Sequence, residues 1–163
     1  DFEARPRRGQ YIVYSSPGNT RDTVPTRPIQ PVPTDRTKGI FVYSTLYDQI
    51  VAGPTAQDQT SLTDDQIEPE AARTLANHAS QILGRSMSTS SNQDPDVVGE
   101  YVGIRPGTSK RDYQIQLHHS MRFITVGGIR STGLTASLGI ARHVVQCLLP
   151  TLIPPPNFSH NMI

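Results

Sequence analysis

Proline and glycine cut the first third of this chain into short β-prone runs, none long enough for a helix, and an antiparallel sheet is the fold such punctuation permits. The run Tyr11-Ile12-Val13-Tyr14 closes residues 9–14 and stops at the turn cluster Ser15-Ser16-Pro17-Gly18-Asn19. Prolines at 25, 28, 31 and 33 then fix φ and remove backbone donors, so the stretch stays extended, and Ile29 and Val32 suit only a sheet edge. Residues 39–45 form a second strand. A turn beginning at Asp48 leads to a third at 49–54, ended by Gly53-Pro54 and close enough to the second to make a hairpin.

The period changes after Asp64. Leu75, Ala79 and Ile82 repeat on one helical face, Asp64 and Asp65 stand at the N-terminal side and Gly84 is a natural stop, which predicts a helix over 64–83. Residues 86–95 are a Ser/Thr/Asn-rich loop without periodicity. Beyond it the chain reads as a strand over 96–104, a turn at Arg105-Pro106-Gly107-Thr108, and a fifth strand on the alternation of Tyr113, Ile115 and Leu117. A sixth strand at 123–126 runs into Gly127-Gly128. Apolar Leu134, Leu138, Ala141, Val144, Val145 and Leu148 predict a helix over 133–149, terminated by Pro150. The Pro154-Pro155-Pro156 tail is a solvated extension. The fold class is α+β: an antiparallel sheet with a middle helix, closed by a strand-loop-helix.

Composition narrows the function. With 15 Lys+Arg against 14 Asp+Glu, the net charge is +1, and no general field gathers nucleic acid. No apolar run approaches the roughly 20 residues of a transmembrane helix. The single Cys147 has no internal partner for a disulfide, which points to a reducing compartment, cytoplasmic or mitochondrial. No zinc-type ligand spacing occurs. His118 and His119 are adjacent, so on a strand they point to opposite faces and do not readily share one ion. The chain begins at Asp1 without an initiator methionine, which reads as a fragment boundary or a product of proteolysis.

One segment has the geometry of a ligand loop. Val126-Gly127-Gly128-Ile129-Arg130-Ser131-Thr132-Gly133-Leu134-Thr135 carries a strand through glycines into a helix start, whose unpaired N–H groups attract an anionic or electron-rich edge. A tight turn before a Ser/Thr-capped helix reads equally well from the same residues. The dinucleotide spacing G-x-G-x-x-G is absent.

Six segments fall in a telling order: Gln10-Tyr11-Ile12-Val13, Pro31-Val32-Pro33-Thr34, Lys38-Gly39-Ile40-Phe41-Val42, Gly53-Pro54-Thr55-Ala56, Gly103-Ile104-Arg105-Pro106 and the loop just quoted. Together they make the chain resemble the second half of FAD-dependent glycerol-3-phosphate dehydrogenases, within the D-amino-acid-oxidase-like flavoprotein superfamily. The likeness extends to about residue 149. It implies a substrate-binding domain at 1–120, a strand and helix at 121–149 belonging to an FAD-binding domain otherwise absent from these residues, and a Pro-rich tail at 150–163.

The resemblance further implies that Gly128, Ile129, Ser131, Thr132, Gly133, Leu134 and Thr135 approach the flavin. Arg105, and with it Arg130, would hold a small anionic substrate, a phosphate or carboxylate gripped by a planar guanidinium. Tyr43, like Tyr47, would close the pocket with its hydroxyl. No catalytic residue and no metal ligand is assigned. Read without the family, Arg105 could instead be pinned to a carboxylate, Arg130 could be a solvated loop residue, and the tyrosines could simply pack on the sheet.

The parent activity implied is oxidation of glycerol 3-phosphate to dihydroxyacetone phosphate, with FAD in the intact parent and peripheral membrane association open to it. A 2-hydroxy acid or amino acid as substrate, or a non-catalytic binding module, are the competing readings. The family's nucleotide site lies upstream of the matched region, so this chain alone is expected to bind no FAD and to be inactive. It would lack its N-terminal FAD-binding half, and a homodimer could cover the faces so bared.

Overall fold

In the computed structural model, which describes residues 2–15, 24–35, 38–90, 92 and 96–153, β1 (Arg7–Tyr14) is the axis of the larger sheet. Its β-branched and aromatic run pairs on both edges. On one side β3 (Ile50–Gly53) matches Ile12 to Ala52 and Tyr14 to Ile50, and the two-residue β4 (Gln57–Asp58) continues the ladder opposite Arg7 and Arg8. On the other side β5 (Val97–Arg105) pairs along the whole length, from Arg7 opposite Arg105 to Tyr14 opposite Val97, with a register shift between Val13 and Tyr14. The predicted hairpin is present: β2 (Phe41–Ser44) pairs with β3. Ile29 bonds Val42 at the sheet edge, at 2.9 and 3.0 Å, whereas Val32 stays off the ladder and exposed.

Helix α1 (Pro69–Leu83) covers one face of this sheet. Ala71, Ala72, Leu75, Ala76 and Ala79 form its buried stripe, and it meets Ile12, Tyr14, Val42, Ile50 and Ala52 in the core. Small alanines let the helix approach the strands closely, and Leu75, fully buried, contributes about 2 kcal/mol as transferred apolar surface. Gly84 ends the helix in the left-handed conformation, φ 67°, and its N–H bonds the carbonyl of Ser80.

The helix begins five residues later than the sequence predicts, at Pro69 rather than Asp64. The cause is a long-range contact. The buried guanidinium of Arg8 pairs with Asp64, donates to the Gln66 carbonyl at 3.2 Å and to Glu68 at 3.0 Å, and so holds this segment extended over the strand. Pro69 then suits the first helical turn, where its missing N–H costs nothing.

A second compact unit comprises residues 1–4 and 106–163, the first unit being Arg5–Arg105. The division between these units falls at Arg105/Pro106, and within the second unit β6 (Gln114–His118) pairs with β7 (Phe123–Gly127). A 3-10 turn (His119–Met121) joins the two strands. Helix α2 (Gly133–His143) follows.

Pro150 does not terminate the last helical run. A π-helical turn (Val144–Leu148) leads into a short α3 (Leu149–Leu152) with Pro150 inside its first turn. There the ring needs no intrahelical donor. The predicted turn residues 16–19, part of the loop at 86–95 and the proline tail lie outside the described residues. The architecture is a mixed α/β one with antiparallel sheets and few helices, as the sequence predicts.

Candidate functional site

Residues directly opposed in an antiparallel ladder share a face, so the register of β1 sorts the larger sheet. Ile12 and Tyr14 face α1. The opposite face, which no described helix of this unit covers, carries Gly9 and Tyr11 from β1, Gly53 from β3, Tyr43 from β2, and Tyr101, Gly103 and Arg105 from β5. Arg105 lies over Gly9 and Tyr11 over Gly53, so among the three glycines only Gly103 is open.

Arg105 lies half-buried over Gly9. A Cβ built on Gly9 would stand 2.7 Å from Arg105 Nη2 and 3.2 Å from Cζ, so the guanidinium occupies the space a side chain would need. Nη2 donates to the Thr55 carbonyl at 3.4 Å. Thr55 is itself fixed by Gln10: its N–H donates to the Gln10 carbonyl at 3.2 Å, and its Oγ1 accepts the Gln10 N–H at 3.0 Å. Among the described residues no carboxylate pairs with Arg105, so the pinning partner that its structural reading requires is not there. Most of its five donors stay available. Its cross-strand neighbour Arg7 is engaged instead with Asp58, at 3.4 Å.

Tyr11 and Tyr101 stack, with ring centroids 4.3 Å apart and planes inclined by 12°. Tyr43 lies beside them. The Tyr101 hydroxyl is pushed above the ordinary tyrosine range, first by burial, then by the charge and hydrogen bonding of Tyr43, and last by Tyr11. The open space next to Arg105 is over Gly103, whose Cβ would meet nothing within 4 Å. Tyr47 stands apart, exposed beyond the end of β2.

In the second unit, residues 128–135 form an exposed turn into α2. Gly128 has φ +66°, and a Cβ on it would lie 2.9 Å from Gln114 Cγ and 3.1 Å from Thr108 Cγ2, so both conformation and space require glycine. Arg130 N–H bonds the Gly128 carbonyl at 2.9 Å and leaves its exposed side chain outside the turn. Tyr113 braces the next step: its hydroxyl donates to the Ser131 carbonyl at 3.2 Å and lies 2.8 Å from Thr132 Oγ1. Thr132, at φ 63°, is the N-cap residue but makes no side-chain cap. The first N–H groups of α2 are therefore uncapped by that side chain, and such a helix start suits an electron-rich ring edge or an anion. Thus Gly128, Ile129, Ser131, Thr132, Gly133, Leu134 and Thr135 make one open turn, while Arg105 and Tyr43 belong to the other unit.

His118 bonds Thr125 through Nε2 at 2.9 Å and is tied into the hairpin. No cluster of metal-ligating residues occurs among those described.

Comparison with known proteins decides the family, since a model described as FAD dependent oxidoreductase matches residues 1–147. The chain belongs to the FAD-dependent oxidoreductase family. It is 32% identical to a glycerol 3-phosphate oxidase of Mycoplasma pneumoniae over 98% of this chain and 40% of that protein. A glycerol 3-phosphate dehydrogenase of Caloramator mitchellensis is 28% identical over 90% of this chain and 29% of its own length.

Among solved structures, the dithionite-reduced, FAD-bound L-α-glycerophosphate oxidase of Mycoplasma pneumoniae superposes with a TM-score of 0.71 at 29% identity, covering 91% of this chain and 37% of that one. A glycine oxidase of Bacillus cereus shares the fold at 14% identity and a TM-score of 0.60, over 90% of this chain and 36% of that one. The chain thus spans about 40% of the length of the curated oxidases it matches.

Arg105 and Tyr43 are the residues of this face that the sequence singles out. Gly9, Tyr11 and Tyr101 share their face through the β1–β5 register, and Tyr43 shares it through β3.

Proposed function

We propose that this chain forms the substrate-holding wall of an FAD-dependent enzyme that oxidises glycerol 3-phosphate to dihydroxyacetone phosphate. The observation that carries the reading is Arg105: a half-buried guanidinium without a carboxylate partner among the described residues, on an open sheet face, in a chain whose relatives are named as glycerol 3-phosphate oxidases and dehydrogenases.

Bound FAD supplies the acceptor for the hydride leaving the substrate's C2. The residues of this chain bind and orient. Arg105 holds the phosphate with parallel charge-assisted bonds, the space over Gly103 admits the short carbon chain, and the Tyr43 hydroxyl closes the far side. The turn at Gly128, Ile129, Ser131, Thr132, Gly133, Leu134 and Thr135 would hold the flavin through its backbone N–H groups, with Arg130 as a further candidate cation in the same turn. The FAD-binding half of the protein is the partner this reading requires, and Leu134 and Leu138, exposed on α2, are apolar surface for it to cover. A homodimer of the chain is the substitute cover when that half is absent. No helix among the described residues is long and apolar enough to cross a membrane, and the exposed free Cys147 fits a reducing compartment.

The experiment has two parts. The flavin-loaded protein carrying this chain is assayed with sn-glycerol 3-phosphate, and Arg105→Ala should raise KM by two orders of magnitude or thereabouts, roughly the cost of losing a bidentate charged contact. The 163-residue chain alone should show neither flavin absorbance nor turnover. An unchanged KM in Arg105→Ala, or turnover only with an amino acid, overturns the assignment.

A further inference from the structure

We propose that Gly9 is the positioning residue for Arg105, so that the anion grip of this enzyme is set by the absence of a side chain on the neighbouring strand. This rests on the reading of Arg105 given above. Gly9 and Gly103 are directly opposed across the β1–β5 ladder, yet the space over the two differs. Over Gly103 a Cβ would meet nothing within 4 Å. Over Gly9 it would stand 2.7 Å from Arg105 Nη2, 3.2 Å from Cζ and 3.2 Å from Pro54 Cβ.

The guanidinium therefore lies across β1 rather than standing over its own strand. It is held there by two things: the flat seat at Gly9, and the Thr55 carbonyl that accepts from Nη2 at 3.4 Å. The acceptor is anchored. Gln10, fully buried and next to Gly9, bonds Thr55 in both directions, donates from Nε2 to Gln57 at 3.0 Å, and accepts the Glu68 N–H at 2.7 Å through Oε1. Seat and acceptor are thus fixed by consecutive residues of one strand. A long cation laid flat against a glycine loses rotamer freedom before substrate arrives, and the space over Gly103, opposite Gly9 on β5, stays open beside it. The φ of Gly9 is not in the left-handed region, so an alanine there is compatible with the backbone. Its effect would come from its methyl group alone.

The test compares Gly9→Ala, Gly99→Ala, Arg105→Ala and the double variant Gly9→Ala/Arg105→Ala in the flavin-loaded protein, reading kcat and KM for sn-glycerol 3-phosphate. Gly99 is on the same face and its Cβ would make only ordinary contact, 3.8 Å from Val13, so it controls for adding a methyl to the sheet. Gly9→Ala should raise KM at least about tenfold with flavin content and kcat little changed, Gly99→Ala should not, and the double variant should be no worse than Arg105→Ala.

A KM in Gly9→Ala equal to that of the unaltered protein overturns the inference, as does a double variant whose losses multiply. If Gly9→Ala fails to fold, recovery of folding in the double variant supports the contact, and failure of both overturns it. Should Arg105→Ala itself leave KM unchanged, the functional reading falls first; a normal penalty there with a silent Gly9→Ala removes this inference alone.

Discussion

Tyr11 lies across Gly53: a Cβ built on that glycine would stand 2.4 Å from the Tyr11 ring carbon Cδ1 and 2.9 Å from the Gln10 carbonyl oxygen. Gly53 also has φ +149°, which side-chain-bearing residues rarely adopt. Both obstacles act on Gly53→Ala. The methyl group must push Tyr11 off its stack with Tyr101 while the backbone takes on strain, and the loss of stability should be about 2 kcal/mol or more. Urea unfolding measures it. A loss below about 0.5 kcal/mol, the ordinary level for a surface substitution, would mean that the ring is free to move.

The tyrosine pair has a second consequence, at high pH. Tyr101 ionises above the ordinary value because burial disfavours its phenolate and Tyr43 opposes a further negative charge. The folded chain thus keeps a proton that the unfolded chain has released above about pH 10. The stabilisation is complete below that point and is lost as pH rises towards the folded value. Titration followed by tyrosinate absorbance should show a late component that disappears in Tyr101→Phe and moves to lower pH in Tyr43→Phe. An unmoved late component in Tyr43→Phe would remove Tyr43 as a cause.

At the acid end Asp64 contributes. Its carboxyl is held below the usual aspartate range by the Gln66 backbone N–H first and by the Arg8 side chain second, against a smaller opposing effect of burial. In the unfolded chain it takes up a proton near pH 3.9, where the folded chain does not. Its contribution is therefore present above that pH and is lost as pH falls through the folded value. Stability against urea, measured from neutral to acid pH, should fall less steeply in Asp64→Asn than in the unaltered chain. Parallel curves would show that the Arg8 contact is indifferent to the charge on Asp64.

The strands and the buried stripe of α1 could be read from sequence because their causes are local. β-Prone runs bounded by turn residues mark β1 and β3, alternation marks β6, and Leu75 and Ala79 recur at helical spacing. What could not be read depends on contacts distant in sequence. Asp64 looks like a helix start until Arg8, on another element, claims it. Pro150 looks like a stop until the π-turn before it shifts the register. At the candidate site, Arg105 beside Pro106 was visible as a corner, whereas the roles of Gly9 and Tyr101 follow from which residue of β5 opposes which of β1. Register of that kind depends on the folded sheet, and spacing within either strand does not encode it.

Two leucines, one in each unit, look alike in sequence and differ in the folded chain. Leu75 on α1 is fully buried among Ile12, Ile50 and its neighbours, while Leu138 on α2 is 84% exposed. Leu75→Ala leaves a cavity in a packed core and should cost 2–5 kcal/mol, or thereabouts. Leu138→Ala removes a side chain already in water and should change stability by less than about 0.5 kcal/mol. Denaturant unfolding of both variants of the 163-residue chain, at low and high protein concentration, gives the comparison. A Leu138→Ala penalty comparable to that of Leu75→Ala, and growing with concentration, would mean that a second copy covers α2 in solution.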